Sequence, residues 1–282
     1  MRDDSPSAGC GGLGRTGPWG RPGERAFHVG AAGALTFELA FIIIVIGAAV
    51  CYIDLGDLRA VVASPAMRYA MALSLITVTI TTTLSVLLAV PAAYALTYYR
   101  VPFRRVVDTI LDLPIVMPPI AAGMVLLVLF GYYLGEPMRR HGIYLPHTRA
   151  GIVVAQFFTT MTFAVRSAKA ALDGISPRLA EVARTLGSSE WSAFRRVTLA
   201  LARPGLIAGI VVTWSRCLGL FGPVVMFCGA TAFRTQVMPT AVYIDTSVGK
   251  LEEAVAGALI LVAIALVALV LFKRLGGRGY MW

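Results

Sequence analysis

Between two long apolar runs, residues 176–187 of the chain read SPRLAEVARTLG. Ser176 can cap a helix, and Pro177 suits the first helical position. The apolar residues that follow fall on one face at helical spacing, namely Leu179, Val182, Ala183 and Leu186. Gly187 can end the helix in a left-handed conformation that other residues resist. The pattern predicts a short amphipathic helix that stops at a glycine.

A second short helix is predicted directly after this glycine. Ser188 or Ser189 can cap it, and it runs from Trp191 to about Leu199. The loop 172–204 that holds both helices is too short to be a domain, so it is a docking feature or a linker. Two amphipathic helices outside the bilayer suit insertion into a groove on a partner protein. A solvated pair that binds nothing and a DNA-binding helix-turn-helix are the alternatives.

The composition outside this loop is that of a membrane protein. The chain of 282 residues is 57% hydrophobic and 14% charged, with a mean hydropathy of +0.76. A soluble domain carries about 25% charged residues. We therefore predict an all-α polytopic membrane protein with about six transmembrane helices, each near the ~20 residues that cross a bilayer core. The predicted spans are 33–53, 70–98, 113–134, 150–171, 205–228 and 254–272.

The distribution of charge orients these spans. With the N-terminus in the cytoplasm, seventeen Lys and Arg fall in inside segments and seven in outside loops, with one inside a span. The positive-inside rule then predicts an inner-membrane protein with both termini cytoplasmic. The net charge of +10 thus needs no nucleic-acid partner. The predicted segments are a disordered basic tail at 1–32, a first helix and outer loop at 33–69, a core at 70–272 and a cytoplasmic tail at 273–282.

Motifs for catalysis are missing from the sequence. It contains no G-x-x-x-x-G-K-[ST] phosphate loop, so the chain has no P-loop with which to hydrolyse ATP. It also contains neither H-E-x-x-H nor G-x-S-x-G, and its four cysteines form no CxxC pair. We predict no catalytic residue and no metal site. A membrane enzyme is disfavoured, whereas a scaffold or receptor without transport activity remains an alternative.

The loop also carries a family resemblance. Its residues Glu181-Val182-Ala183-x3-Gly187-x9-Val197-x-Leu199 resemble the EAA loop of binding-protein-dependent ABC importer permeases. Val182 replaces the usual alanine, and Leu199-Ala200 replaces the usual Leu-Pro. Further segments are similar to the molybdate and sulfate branch: 113–119, 184–187, 194–199, 202–205 and 218–222. In the last of these, Leu220 replaces a usual glutamate.

This resemblance, which covers residues 70–272, implies a type I ABC importer permease fold and a pore subunit. It implies that Glu181, Ala183 and Gly187 couple the pore to a separate ATPase dimer that carries ATP and Mg, with Trp191 and Phe194 as apolar anchors. An extracytoplasmic substrate-binding protein, a second copy of the chain and membrane lipid are the other implied partners. The implied activity is alternating-access uptake of molybdate or tungstate, then sulfate; ferric ion or polyamine is the alternative cargo.

Several polar residues within the spans are candidates for the transport pathway. Span two has four hydroxyl residues that share one helical face, Ser74, Thr77, Thr81 and Ser85. Gln156 and Thr160 lie one turn apart in span four. Arg216 stands inside span five, where a charge costs about 2.5–3.5 kcal/mol and needs water, a partner or an anion. For all of these, contacts between helices are the competing interpretation.

Two spans are expected to be irregular. Gly219, Gly222 and Pro223 are candidates for a gate in span five, or for close helix packing. Span three begins among prolines, and we predict a kink there with Asp112 as its cap. Cys217 and Cys228 are placed on one helix about 16 Å apart, too far for a disulfide.

Overall fold

The computed structural model describes residues 22–275, except the side chains of residues 22–26, 273 and 275. All regular structure in that range is helical, which confirms the all-α prediction. Residues 1–21 of the predicted disordered tail and 276–282 of the predicted C-terminal tail lie outside the described residues. The chain divides into two compact units, one ending at Tyr52 and one beginning at Ile53.

The first unit contains helix α1, Pro22–Tyr52. It begins ahead of the predicted start at residue 33, so residues 22–32 are helical where a disordered tail is predicted. Pro22 suits the first helical position, and no proline follows before Tyr52. From Phe27 onward the helix is long and apolar enough to cross a membrane.

The second unit contains twelve helices within the described residues. They are α2 (Leu55–Ala63), α3 (Pro65–Tyr98), α4 (Arg104–Val116), α5 (Pro119–Leu127), α6 (Gly135–Arg140), α7 (Arg149–Asp173), α8 (Pro177–Thr185), α9 (Glu190–Ala193), α10 (Leu199–Leu218), α11 (Gly222–Cys228), α12 (Met238–Ser247) and α13 (Leu251–Leu275). Wider π-helical turns continue α5 through Val128–Tyr133 and join α9 to α10 through Phe194–Thr198.

The membrane-crossing helices agree with about six spans. Four segments are long and apolar enough, Phe27–Tyr52, Pro65–Tyr98, Glu190–Leu218 and Leu251–Phe272. A fifth results if Arg104–Val116 and Pro119–Tyr133 form one broken span. Helix α7 has 25 residues, about 37 Å of helix, and is less apolar because it packs at the centre of the bundle against α3 and α10.

Small residues allow these central helices to approach closely. Ala89 and Ala93 of α3 share one buried cluster with Ala164 and Ala168 of α7. On α10, a Cβ added at Gly209 would stand 2.6 Å from the Cβ of Ser167. Close backbone approach through small residues is typical of membrane helix pairs, where burial of apolar surface supplies little driving force.

The third and fifth predicted spans need correction. The kink predicted near the start of the third span is present, because α4 and α5 meet at a break with a bend of 105°, but the helical segment begins at Arg104 and not at 113. Pro118 and Pro119 cause the break, since the residue before a proline avoids the helical region, and Met117 is extended. Asp112 lies inside α4 and is not a cap. Cys217 and Cys228 lie on different helices, because α10 ends at Leu218.

The second helix of the predicted loop also differs. Residues Glu190–Leu218 form one helix of 29 residues, so the helix that begins near Trp191 continues into the bundle. No glycine or proline stands between Glu190 and Pro204 to end it, and Pro204 lies inside α10. The connection outside the bundle is therefore α8 with the turns on either side of it, shorter than the predicted 172–204.

Candidate functional site

Helix α8 presents its apolar residues to solvent. None of its residues is buried. Val182 is 56% exposed and Leu186, directly after the helix, is 81% exposed. Glu181 is exposed as well, and Ala183 is half-buried. In an amphipathic helix, such apolar residues normally face the core and pack against other parts of the same chain.

A glycine turn ends α8, as the sequence predicts. Gly187 has φ +90°, and the N–H of Ser188 donates to the carbonyl of Ala183 at 3.0 Å. A Cβ on Gly187 would meet no atom within 4 Å, so only its backbone conformation requires glycine. Ser189 then caps α9, because its hydroxyl accepts from the N–H of Ser192 at 3.2 Å.

Aromatic rings connect this turn to the bundle. The ring centroids of Phe194 and Tyr94 lie 4.8 Å apart, and those of Phe194 and Trp191 lie 5.7 Å apart. Tyr99 donates a hydrogen bond to Glu190 at 3.4 Å. Phe194 is therefore an anchor onto α3, whereas Trp191 remains 67% exposed. The turn thus contacts α3 through these rings and continues directly into α10.

A cavity of about 410 Å³ lies where the broken helices meet. Four predicted residues line it together: Thr160, Arg216, Gly219 and Pro223. The other walls come from the break between α4 and α5 (Pro114, Ile115, Met117 and Pro119), from α7 (Thr159 and Phe163), and from α10 and the turn after it (Ser215 and Leu220). Gly222 starts α11 beside it, and a Cβ there would stand 3.0 Å from that of Pro119. The cavity thus joins both predicted irregular regions.

Arg216 is the charged residue of this cavity. Its guanidinium carbon lies 5.1 Å from the ring centroid of Phe163, within cation–π range. Among the described residues, no carboxylate lies within salt-bridge distance of it. Its positive charge is therefore not neutralised within this part of the chain.

The hydroxyl residues of α3 are buried at helix contacts and do not line this cavity. Ser74 accepts from the N–H of Met238 at 2.8 Å, and Thr77 donates to the carbonyl of Leu73 at 2.9 Å. Thr81 donates to Gln156 at 3.0 Å. The hydroxyl oxygen of Ser85 has no partner within the described part of the chain. A role for these residues in transport stays a prediction.

A profile of the family described as binding-protein-dependent transport system inner membrane component matches residues 85–278. The chain belongs to this family. The matched region contains the glycine turn, the cavity and the central helices α7 and α10, so the family assignment rests on the same part of the chain as the site.

Several named relatives are permease proteins of sulfate and molybdenum transport systems. The sulfate transport system permease protein CysT of Escherichia coli is 36% identical over 64% of this chain, and the match spans 65% of that protein's length. A probable molybdenum ABC transporter permease of Haloferax volcanii is 34% identical over 84% of this chain and 86% of its own. The molybdenum transport system permease protein ModB of Escherichia coli is 33% identical over 65% of this chain and 82% of its own.

Solved structures support the importer permease fold. A chain from a bacterial ABC transporter involved in the import of the acidic polysaccharide alginate aligns with a TM-score of 0.72. The alignment covers 91% of this chain and 98% of that one, at 18% identity, so it supports the fold alone. An amino acid ABC transporter aligns with a TM-score of 0.58 over 80% of this chain.

The chain also holds an ion-pair cluster that its sequence pattern did not reveal. Arg166 of α7 donates to Asp112 at 2.7 Å through Nε, and to Asp108 at 3.1 Å through Nη1. It also donates to the Asp108 backbone carbonyl at 3.0 Å. The spacing of two aspartates four residues apart on α4 was the available signal. The cluster fixes α4 to α7 beside the cavity.

Proposed function

We propose that the chain is the pore subunit of an ATP-driven importer that moves a tetrahedral oxyanion, molybdate or tungstate first and sulfate next. Two considerations support this. The named relatives are sulfate and molybdenum permeases. The cavity between the broken helices carries an arginine without a carboxylate partner among the described residues, and this observation carries the proposal on substrate charge.

Coupling to the ATPase is assigned to α8 and the turn after it. The exposed Val182, Leu186 and Trp191 would enter a cleft on a separate ATPase subunit, which carries ATP and Mg. Closure of the ATPase dimer would move the turn. Phe194 would pass that motion to α3 and α10, because its ring contacts Tyr94 and its backbone continues into α10.

The transport cycle is alternating access. A second copy of the chain would complete the pore, and an extracytoplasmic binding protein would deliver the substrate, with both termini cytoplasmic. The bends between α4 and α5 and between α10 and α11 are places where helices can change their relative angle, since no backbone hydrogen bonds of a continuous helix cross them.

Arg216 gives this pathway its charge preference. A guanidinium with the Ser215 hydroxyl on the same cavity attracts an anion and repels Fe³⁺ or a polyamine, whereas the Thr160 hydroxyl already donates to the carbonyl of Gln156 at 2.8 Å. A hydroxyl donates a hydrogen bond to an oxyanion but binds it less tightly than a second positively charged side chain would. Such a site can bind an anion weakly enough to release it.

The test is substrate-stimulated ATP hydrolysis. The chain is reconstituted in lipid with its neighbouring ATPase and binding protein, and hydrolysis is measured with molybdate, tungstate, sulfate, ferric ion and spermidine. We expect stimulation by an oxyanion alone. Stimulation by ferric ion or spermidine alone would overturn the substrate class, and no stimulation by any of the five would favour the scaffold or receptor.

A charge substitution tests the cavity itself. Arg216 lines the cavity, so Arg216→Gln removes its positive charge. We expect oxyanion stimulation to fall about tenfold, the equivalent of ~1.4 kcal/mol. Arg216→Lys is the control, because it keeps a positive charge on a side chain of similar length. Equal activity of the two variants would remove the charge of Arg216 from the pathway.

A further inference from the structure

A second cavity, of about 280 Å³, lies between α2, the start of α3, α12 and the start of α13. It shares no lining residue with the cavity of Arg216. Under the predicted orientation it opens on the extracytoplasmic side. Its walls are small and apolar in part, including Ala60, Met67 and Ala241, but Ser64, Gln236, Asp245 and Glu253 also line it.

Gln236 has an unsatisfied hydrogen-bond acceptor here. The residue is only 9% exposed, and its Oε1 has no hydrogen-bond partner among the described residues. A buried polar atom without a partner destabilises the fold, because it loses its hydrogen bond to water without a replacement. Such a group in a cavity wall indicates either strain or a donor that comes from another molecule.

The two carboxylates of the cavity differ in their partners. Glu253 accepts from Lys250 at 2.9 Å, so its charge is compensated. Asp245 is half-buried and has no ion pair among residues 22–275. Burial raises the pKa of Asp245 above its ordinary value, and the charge of Glu253 adds to this, while Lys250 acts in the opposite direction. The cavity therefore holds one buried acceptor without a partner and one carboxylate without an ion pair among the described residues.

We propose that this cavity binds a primary ammonium or guanidinium group. The cation would donate to Oε1 of Gln236 and to the Asp245 carboxylate, and its carbon atoms would pack on Met67 and Ala241. The volume is ample for such a head group, since one water occupies about 30 Å³ of liquid. A divalent metal is a poorer fit, because Ca²⁺ takes six to eight oxygen ligands and one of the two carboxylates is already paired.

Two sources can supply this chemistry, a free amine or a Lys or Arg side chain of a docked extracytoplasmic protein. The first arm of the test addresses the free amine. The full chain in lipid nanodiscs is unfolded by heat in methylammonium chloride and in sodium chloride at equal ionic strength. We expect the midpoint to rise saturably with methylammonium. Asp245→Asn and Gln236→Leu should each abolish the rise.

The control for both arms is Glu252→Gln. Glu252 is exposed, next to Glu253 in the chain, and does not line the cavity. The Glu252→Gln substitution removes one negative charge, as Asp245→Asn does, but leaves the lining of the cavity unchanged. The control variant should therefore bind methylammonium as the unmodified chain does.

The second arm addresses a docked side chain, and it rests on the proposed binding-protein partner. Affinity of that protein for the reconstituted complex is measured with the same variants. We expect Asp245→Asn to weaken binding about tenfold or more, because a charge-assisted hydrogen bond is lost. An effect in either arm that Glu252→Gln does not share supports the site and identifies its source. The proposal is overturned if methylammonium does not shift the unfolding midpoint and Asp245→Asn binds the extracytoplasmic protein as tightly as the unmodified chain does. This outcome is independent of whether substrate stimulates ATP hydrolysis.

Discussion

The helix contact inside the bundle and the glycine turn after α8 differ in which side chains they bury, polar ones in the first and few apolar ones in the second. Where α3 packs on α7, polar side chains are buried: Thr81 and Gln156 are at most 2% exposed and bond to each other at 3.0 Å. At the turn, Leu186 and Trp191 are 81% and 67% exposed. Polar side chains are therefore fully buried at this helix contact, whereas apolar side chains are exposed at the turn.

This difference distinguishes residues that stabilise the fold from residues that need a partner protein to cover them. Inside a membrane bundle, hydroxyl and amide groups connect helices because lipid offers them no hydrogen bonds. Exposed apolar side chains gain only if another surface covers them, at about 25 cal/mol per Å². Changes in the bundle should then alter stability, and changes at the turn should alter coupling while stability is kept.

The largest expected effect is at Gly187. Gly187→Val forces a β-branched residue into φ +90°, although its side chain meets no neighbouring atom. We expect normal insertion and thermal stability, but loss of substrate-stimulated ATP hydrolysis by more than tenfold. The measurements are membrane yield, unfolding midpoint and stimulated hydrolysis of the reconstituted complex.

Gly142→Val is the matched control for this change. Gly142 also has a positive φ, +74°, and also has open space around it, but it lies in the loop after α6. The same backbone strain should there leave coupling intact. Equal loss of activity in the two variants would mean that strain alone, and not the position of the turn, explains the result.

Gly209 gives the opposite outcome in the bundle. The Cβ of Gly209→Ala would stand 2.6 Å from that of Ser167, so α10 and α7 must separate. We expect destabilisation of about 1–3 kcal/mol, the usual range for overpacking. The gain in helix propensity offsets at most ~1 kcal/mol of this. An unfolding midpoint at or above that of the unmodified protein would show that α7 and α10 can move apart without a loss of stability.

A smaller effect is expected from one exposed side chain of the turn. Leu186→Ser should change stability by less than about 0.5 kcal/mol, because Leu186 has little buried surface to lose. We expect it to weaken co-purification of the ATPase about tenfold, since one apolar contact is worth ~1.5 kcal/mol. Val248→Ser, 64% exposed after α12, is the control. Undiminished ATPase binding would remove Leu186 from the interface.

The turn was predictable because its determinants are local. A proline at the first position, apolar residues at helical spacing and a glycine at the end specify α8 within twelve residues, although the Ser176 side chain makes no capping hydrogen bond. The prolines at 118 and 119 also predicted an irregular third span. The bend of 105° was not predictable, because it depends on which helices pack on either side of the break.

The cavity was only partly predictable for the same reason. Periodicity placed Thr160 and Arg216 on helices, but no pattern in the sequence says that α7 and α10 bring them to one space. The pairing of Arg166 with Asp112 joins residues 54 positions apart. Local rules assigned Asp112 to a cap, whereas the fold uses its charge at a distance.

The finest test of the comparison is the hydrogen bond between Thr81 and Gln156. A double-mutant cycle with Thr81→Val and Gln156→Leu measures their coupling, because each variant removes one partner with little change in shape. We expect about 0.6 kcal/mol and at most ~1.7 kcal/mol, the range found for hydrogen bonds between membrane helices. Transport per folded molecule should be unchanged. If transport falls while the coupling energy is near zero, these residues belong to the pathway, and the polar interior serves the substrate as well as the fold.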